Sequence, residues 1–439
     1  MIASVETGLA AGAAEDFRRR DRFSSSSIEE LREQAFERFS EIGWPAPGDE
    51  AWRHTNVASI VGLPFRPVDG QPPQGEIPAE ALAIGELPRL VFANGRLAGD
   101  SRLDRVPSRT RFSSLREAAA ADPDGIASLL SRRLPAESAF TLLNAAHLTD
   151  GAVIDVPDGV IVREPLHLVF FASGDGTSPA LFPRNLIRLG ESSAATIVLS
   201  WAGRGRSLTA AVTQAILGEN SALEIVTLQR QDEEAFHLSA LDVEQQRSSR
   251  LTSHLFSMGG AVARDEIHAR LSGEGADCLL NGLFLTDREQ KADLLTVVDH
   301  AVPHGTSRQN YRGILDGRSR GSFTGRVIVR ADAQKTDAQQ SNKNLLLSRE
   351  ALVNSTPQLE IRANDVKCKH GSTTGQLDAD ALFYLRSRGL SPEMARSLLT
   401  YAFASDLVRR VPAGDVRAAV DRALHERLPQ APAIEEIAK

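Results

Sequence analysis

A short phrase that returns at a fixed distance does most to limit how this chain can fold. Leu189-Gly190-Glu191-Ser192-Ser193-Ala194 is echoed by Leu217-Gly218-Glu219-Asn220-Ser221-Ala222, an offset of 28 residues. A third copy, Ser272-Gly273-Glu274-Gly275-Ala276, lies 55 residues beyond the second. Midway, near residue 246, Gln246-Arg247-Ser248-Ser249-Arg250-Leu251 is again a polar turn that leads into a leucine. Each copy follows a strand-like run (Leu186-Ile187-Arg188-Leu189, Ala215-Ile216-Leu217, Ile267-His268-Ala269-Arg270-Leu271) and precedes another. A period of about 20–50 residues marks a stacked architecture, because each unit buries its apolar face only against its neighbours. Short strands, one polar turn per period and no intervening helix point to a β-solenoid. A sandwich with recurrent Gly-Glu turns is the plainer alternative. The expected fold is mainly β, a right-handed parallel β-helix core with helical N-terminal and C-terminal domains. Gly190, Gly218 and Gly273 should then sit at stacked, equivalent turns.

The rest of the chain divides around that core. Residues 1–60 read as helical: Ile28, Leu31, Ala35 and Phe36 fall at helical spacing after Ser27, and Gly43-Trp44-Pro45-Ala46-Pro47-Gly48 ends the run. Residues 64–78, rich in Pro and Gly, read as a linker or irregular loop. Helical patterning returns over 113–150. From about Val153 to about residue 370, β-branched and apolar runs alternate with polar residues, which is strand patterning. After Gly375 the pattern is helical again. Asp378 or Asp380 can cap a helix that Gly389 ends, and Ser391-Pro392 is a strong start for the next. Met394, Leu398, Tyr401 and Ala402 form one apolar stripe, and Val416, Val420 and Leu424 another. Such helices can cap the solenoid's open end or bind a partner. The expected domains are 1–150, helical or mixed; 151–375, the β-helix; and 376–439, helical.

Composition narrows the function. Apolar residues are 42 % and aromatics 5 %, so Val, Leu, Ile and Ala must fill the core. The net charge of −7 gives no reason to expect nucleic acid or an anionic membrane as partner. The run Arg18-Arg19-Arg20, with Arg22 beyond, reads as a solvated helix face. Two cysteines are too few for a secreted disulfide framework. The acidic residues near the N-terminus make a poor signal or transit peptide, and no run of about 18 apolar residues exists. A cytoplasmic protein is expected.

Few motifs carry chemistry. There is no phosphate-binding loop, so ATP-driven work would need another chain. Gly317-Arg318-Ser319-Arg320-Gly321 matches a nucleophile-elbow string, but a strand-like run follows where a helix is required, so it reads as a polar turn. His300 and His304 are four apart with Pro303 between them, against a helical metal pair. Cys278 reads as an inert core thiol. The amides of Asp332–Leu347 read as a hydrogen-bonded ladder between stacked coils. The best candidate is Asp365-Val366-Lys367-Cys368-Lys369-His370-Gly371. In a strand, Val366, Cys368 and His370 share one face, with Cys368 and His370 roughly 6–7 Å apart. A thiol and an imidazole on one side suit iron or zinc, and Lys367 and Lys369 modestly favour the thiolate, offset by Asp365. Two ligands do not complete a cluster site, and a buried wall cysteine beside a hydrogen-bonded histidine remains the structural alternative.

Several long strings resemble the SufB/SufD family of iron–sulfur cluster assembly proteins. They are Pro303-His304-Gly305-Thr306-Ser307-Arg308-Gln309-Asn310-Tyr311, Ile314-Leu315-Asp316-Gly317, Ala333-Gln334-Lys335-Thr336-Asp337-Ala338-Gln339-Gln340, Asn344-Leu345-Leu346-Leu347-Ser348, Pro357-Gln358-Leu359-Glu360-Ile361 and Asp365-Val366-Lys367-Cys368. Weaker similarity reaches Asn144, Asp150-Gly151, Pro165-Leu166 and Glu50-Ala51-Trp52-Arg53-His54-Thr55. Lys367-Cys368-Lys369-His370-Gly371 followed by Leu382-Phe383-Tyr384-Leu385-Arg386-Ser387-Arg388-Gly389 resembles the SufD branch. Thr324 stands where that branch suggests Asn. The resemblance implies a non-catalytic scaffold in complex with a SufB-like paralogue and a SufC-like ABC-type ATPase docked on the C-terminal helices. A homodimer is possible in isolation. It implies no tightly bound cofactor in the lone subunit, transient iron or a nascent Fe–S cluster in the complex, and His370 at the paralogue interface, with Cys368 second. Two other classes compete. A β-helix carbohydrate-active enzyme would need grouped acidic residues and usually an export signal; a pure interaction solenoid would differ only at His370 and Cys368.

Overall fold

The computed structural model describes residues 8–428 apart from 47, 69–76, 83, 100, 133–137, 175, 177 and 413. Part of the irregular stretch expected over 64–78 and the tail 429–439 therefore lie outside the described residues.

Two parallel sheets run the length of the core, and the chain alternates between them. The first carries Ala152–Val156, Arg184–Leu189, Leu208–Leu217, Phe236–Gln245, Val262–Leu271, Lys291–His300, Arg320–Val329 and Leu352–Ile361. The second carries Leu166–Ser173, Ala194–Arg204, Ala222–Arg230, Arg250–Ser257, Asp277–Thr286, Thr306–Leu315, Asp337–Leu346 and Lys367–Gly375. Each coil thus contributes one strand to each sheet, and every strand hydrogen-bonds to the strand one coil away. The core is the parallel β-solenoid that the repeat implied, not a sandwich.

The repeat phrases mark one edge of this solenoid. Gly218 stacks on Gly190, and Gly273 lies on the Gln246–Arg247 turn that stands between them in the column. The turn closes the same way each time. Ser193 Oγ donates to Gly190 O at 2.8 Å, Ser221 Oγ to Gly218 O at 2.7 Å and Ser249 Oγ to Gln246 O at 2.7 Å. Ser192, Asn220, Ser248, Gly275, His304 and Lys335 form a column of left-handed residues, with φ between 54° and 72°. Their amides hydrogen-bond to the next coil, from Ser192 N to Glu219 O through to Lys335 N to Asp365 O. Only one of the six is glycine. The backbone hydrogen bond to the neighbouring coil stabilises a conformation that L residues otherwise avoid.

Helices flank the solenoid. Helix α1 spans Leu9–Arg19 and α2 Ser26–Ile42; Ser25 caps α2 and Gly43, at φ 67°, ends it. Helices α3 (Leu115–Ala121), α4 (Pro123–Leu130) and α5 (Ala139–Ala146) follow. The N-terminal region is also part of the sheet system, which its helical texture hid. Arg89–Ala93 pairs in parallel with Leu166–Ser173, and Arg111–Ser114 pairs antiparallel with Ala152–Val156. The Glu50–Thr55 segment docks on the outside of the first sheet. Arg264 reaches it from the sheet, donating to Ala51 O at 2.8 Å and lying 4.1 Å over the Trp52 ring, while its other contacts are Glu266 and Asp293. Arg18, Arg19 and Arg22 are solvated as expected; Arg20 is buried, donating to Phe17 O and Glu29.

The C-terminal helices are α6 (Ala379–Ser387), capped by Asp378; α7 (Pro392–Val408), capped by Ser391; and α8 (Asp415–Glu426). They do not cover the open end. Leu407, Val408, Val416, Val420 and Leu424 pack against Val226, Leu228, Phe256 and Leu283 on the outer face of the second sheet, with Met394, Leu398 and Tyr401 at the margin. The α8 stripe and the end of α7 are therefore occupied by the chain's own sheet, while the stripe expected on α7 is only half-buried at Met394, Leu398 and Tyr401 and exposed at Ala402.

Candidate functional site

Strand Lys367–Gly375 is the last of the second sheet, as Leu352–Ile361 is of the first. Beyond it the chain leaves for the flank, because Asp378 caps α6 by accepting from the amides of Asp380 and Ala381. No coil among the described residues stacks on this end. The two final strands, ten and nine residues long, present unpaired backbone edges.

Alternation puts Cys368, His370 and Ser372 on the inner side of the final strand. Ser372 Oγ meets Ser355 Oγ of the opposite sheet at 2.9 Å. Lys367 and Lys369 face out and are exposed. The register continues inward: Cys368 lies beside Ala338, Ala338 beside Ser307 and Ser307 beside Cys278, while His370 lies beside Gln340, Gln340 beside Gln309 and Gln309 beside Leu280. The chain's two cysteines therefore share one column three coils apart, roughly 14 Å at 4.8 Å per strand, too far for a disulfide. Both are free.

The two members of the sequence-predicted pair differ in setting. His370 is exposed at the open end, whereas Cys368 is half-buried against Val366, Ala338 and Val327. Burial raises the Cys368 thiol, the Ala338 backbone hydrogen bond opposes this and Asp337 adds to it. The thiolate that Lys367 and Lys369 were expected to favour is thus not what the site prefers, because the lysines point away from the sulfur. Cys278 is fully enclosed, and burial raises its thiol strongly, as a core residue.

Other expected features separate cleanly. His300 points inward, hydrogen-bonded to Ser307 Oγ at 2.9 Å, while His304 sits in an outer turn 3.7 Å from Glu274. Among the described residues no group of three His, Cys, Asp or Glu could hold a metal ion. Ser319 is a buried turn residue hydrogen-bonded to Thr286 at 3.0 Å, not a nucleophile. Of the expected amide ladder, Gln340, Asn342 and Asn344 line the interior, with Gln340 Nε2 donating to Gln309 Oε1 of the preceding coil at 3.5 Å and Asn344 Nδ2 to Asn342 Oδ1 at 2.6 Å; Gln334 lies in a turn and Gln339 faces outward. Two features escaped the sequence reading: the unpaired edges themselves, and the exposure of the expected helix α6, where Phe383 is 72 % and Tyr384 55 % exposed.

The family description "SUF system FeS cluster assembly, SufBD core domain" matches residues 170–403, and "SufBD protein N-terminal region" matches 18–168. The chain belongs to the SufB/SufD family. A SufBD family iron–sulfur cluster assembly protein of Synechocystis is 30 % identical over 394 residues, covering 87 % of each chain. The SufD protein of Escherichia coli is 28 % identical over 402 residues, covering 90 % of this chain and 92 % of that one. The chloroplastic protein ABCI7 of Arabidopsis thaliana is 29 % identical, covering 90 % and 85 %. As a SufB/SufD family member, the chain functions in iron–sulfur cluster assembly. No helix among the described residues is long and apolar enough to cross a membrane.

Proposed function

We propose that the chain is a non-catalytic, cytoplasmic scaffold subunit of the SufD kind. In this reading its open solenoid end joins a SufB-like paralogue, and its C-terminal helical domain docks a SufC-like ATPase. The observation that carries the reading is the pair of long unpaired strand edges. Such edges recruit another chain by strand addition, and Pro357 on one strand with the exposed Lys367 and Lys369 on the other limits which chains can pair there. A second copy of this chain could use the same end as a homodimer when the paralogue is absent. The lone subunit holds no cofactor tightly. In the complex, transient iron or a nascent cluster would meet His370 first, since its imidazole lies at the joint, and Cys368 second, as a thiol one step deeper. Iron is cargo here, completed by ligands from the partner, because two side chains fall short of a cluster's usual four. Without metal chemistry the chain would be an interaction solenoid alone. His370→Ala in a strain dependent on this pathway decides between the two. Complex formation should persist while cluster content and client maturation fall. Full activity of the variant would overturn the role given to His370.

A further inference from the structure

We propose that Gln340 is the positioning residue for His370: its side-chain carbonyl accepts the imidazole N–H once a partner closes the solenoid end. The inference rests on the role proposed for His370 and adds what orients that ring.

The register sets His370 directly beside Gln340, one coil outward, with both side chains on the inner face. Neighbouring strands lie about 4.8 Å apart, so an imidazole and an amide at these positions are within hydrogen-bonding reach. The Gln340 amide has a direction. Its Nε2 turns back toward the preceding coil and donates to Gln309 Oε1 at 3.5 Å, and that same oxygen accepts from Thr296 Oγ1 at 2.6 Å. With the nitrogen committed inward, the oxygen is left for the outward side, where His370 stands. Gln340 is 4 % exposed, and its Oε1 is buried with no hydrogen-bond partner. A buried acceptor without a donor is destabilising, and Gln340 Oε1 is left without one in the isolated chain. The amide also has little freedom to turn away. A Cβ at Gly325, across the interior, would collide with Gln340 Nε2. The side chain fills the space that glycine leaves.

His370 supplies the missing donor. In the isolated chain its ring is solvated. A partner strand over the open end would remove that water and favour the inward hydrogen bond to Gln340. One ring nitrogen then carries the proton toward Gln340, and the other presents its lone pair to the joint. Metal-binding histidines are ordinarily held this way, by a carbonyl or carboxylate behind the ring.

The test uses the assembled complex with the chain labelled with 15N-histidine. The His370 signal is assigned by its loss in His370→Ala. Wild type should show a single His370 tautomer. Gln340→Met, similar in size but without the acceptor, should show both tautomers and lose about tenfold in cluster content, a typical penalty for removing such a partner, with the complex intact. Gln340→Glu should restore the single tautomer. If Gln340→Met does not fold, the separation of the Gln340 side-chain carbonyl and the His370 ring nitrogens in the wild-type complex, from dipolar couplings, serves instead. A separation beyond hydrogen-bonding distance overturns the proposal, as does a Gln340→Met complex with wild-type tautomer and cluster content. If that silent variant accompanies an inactive His370→Ala, only the positioning role falls. If His370→Ala is itself fully active, the parent reading falls with it.

Discussion

Asp150 closes the turn between α5 and the first coil. It is 3 % exposed, and its Oδ1 accepts from the amides of Gly151 at 2.9 Å and Arg116 at 3.1 Å. Burial pushes its carboxyl up from 3.8 to about 6, more than these hydrogen bonds and the nearby arginines lower it. In the unfolded chain the proton leaves near pH 4; in the folded chain it stays until about 6. Between those values the folded state binds more protons, so this residue's contribution to stability falls as pH rises and is fully lost above the upper value. Asp150→Asn keeps both acceptor bonds and removes the titration. Relative to wild type it should gain up to about 3 kcal/mol between pH 4 and pH 8, read from urea midpoints across that range. Parallel wild-type and variant curves would contradict the account. The sequence presents Asp150 only as part of a string resembling a family; that it is buried, and so titrates late, depends on the coil beside it. The same division applies at the site. Period-two alternation correctly grouped Cys368 with His370, yet could not tell that one is half-buried and the other solvated.

Among the elements, α6 stands apart. The α8 stripe and the end of α7 are spent on the outer face of the second sheet, with Met394, Leu398 and Tyr401 half-buried at its margin. Helix α6 has no buried residue, and its Phe383 and Tyr384 project into solvent, with Arg388 5.1 Å from the Tyr384 ring. Exposed aromatics on a capped helix are typical interface anchors. The ATPase surface proposed above is accordingly narrowed to this helix. The double variant Phe383→Ala/Tyr384→Ala should weaken co-purification of the ATPase by at least about tenfold, the cost of losing one or two anchors. Its melting temperature should stay within about 1–2 °C of wild type, because both rings are exposed and Arg388 over Tyr384 is their one ring contact among the described residues. Undiminished ATPase recovery would remove α6 from the interface. Truncating the whole C-terminal region is a poorer experiment, since it would strip the apolar cover from Val226, Leu228 and Phe256.

At the scale of the molecule, the solenoid is closed by helices along its flanks and open at the end where His370 sits. Inward-pointing charge on a terminal strand is a known device against edge-to-edge pairing. Ser372→Lys places such a charge on the final strand, at a position exposed in the isolated chain. It should leave thermal unfolding of the isolated chain unchanged and abolish both self-association and pairing with the paralogue, measured by light scattering and co-purification. A variant that still pairs would show that the joint lies elsewhere. The interior agrees with an end built to be covered. The column that begins at Ile225 passes through Ser253 and Leu280 to Gln309 and Gln340, and the neighbouring columns end inward of the last strand at Asn342 and Asn344. Several of these amides have atoms with no partner in the lone chain.

The sequence by itself determined that this chain stacks coils, where helices begin and end around them, and which family it belongs with. A period and a cap are local properties: each coil must repeat the turn chemistry of the last, and each helix must cap its own first amides. The repeat fades to the eye in later coils because the in-register offset drifts from 28 residues at Ala194–Ala222 to 31 at Thr306–Asp337, the extra length going into turns. Only the tertiary structure decided that Cys278 and Cys368 share a column, that Arg89–Ala93 extends a sheet from within a helical region, and that the α8 stripe faces the sheet while that of α7 lies at its margin. It also decided which end is open. Each of these depends on which strand lies beside which across about 30 residues or more of chain, and on what burial then does to a side chain's charge and partners. Neither is written in the spacing of residues along a single strand.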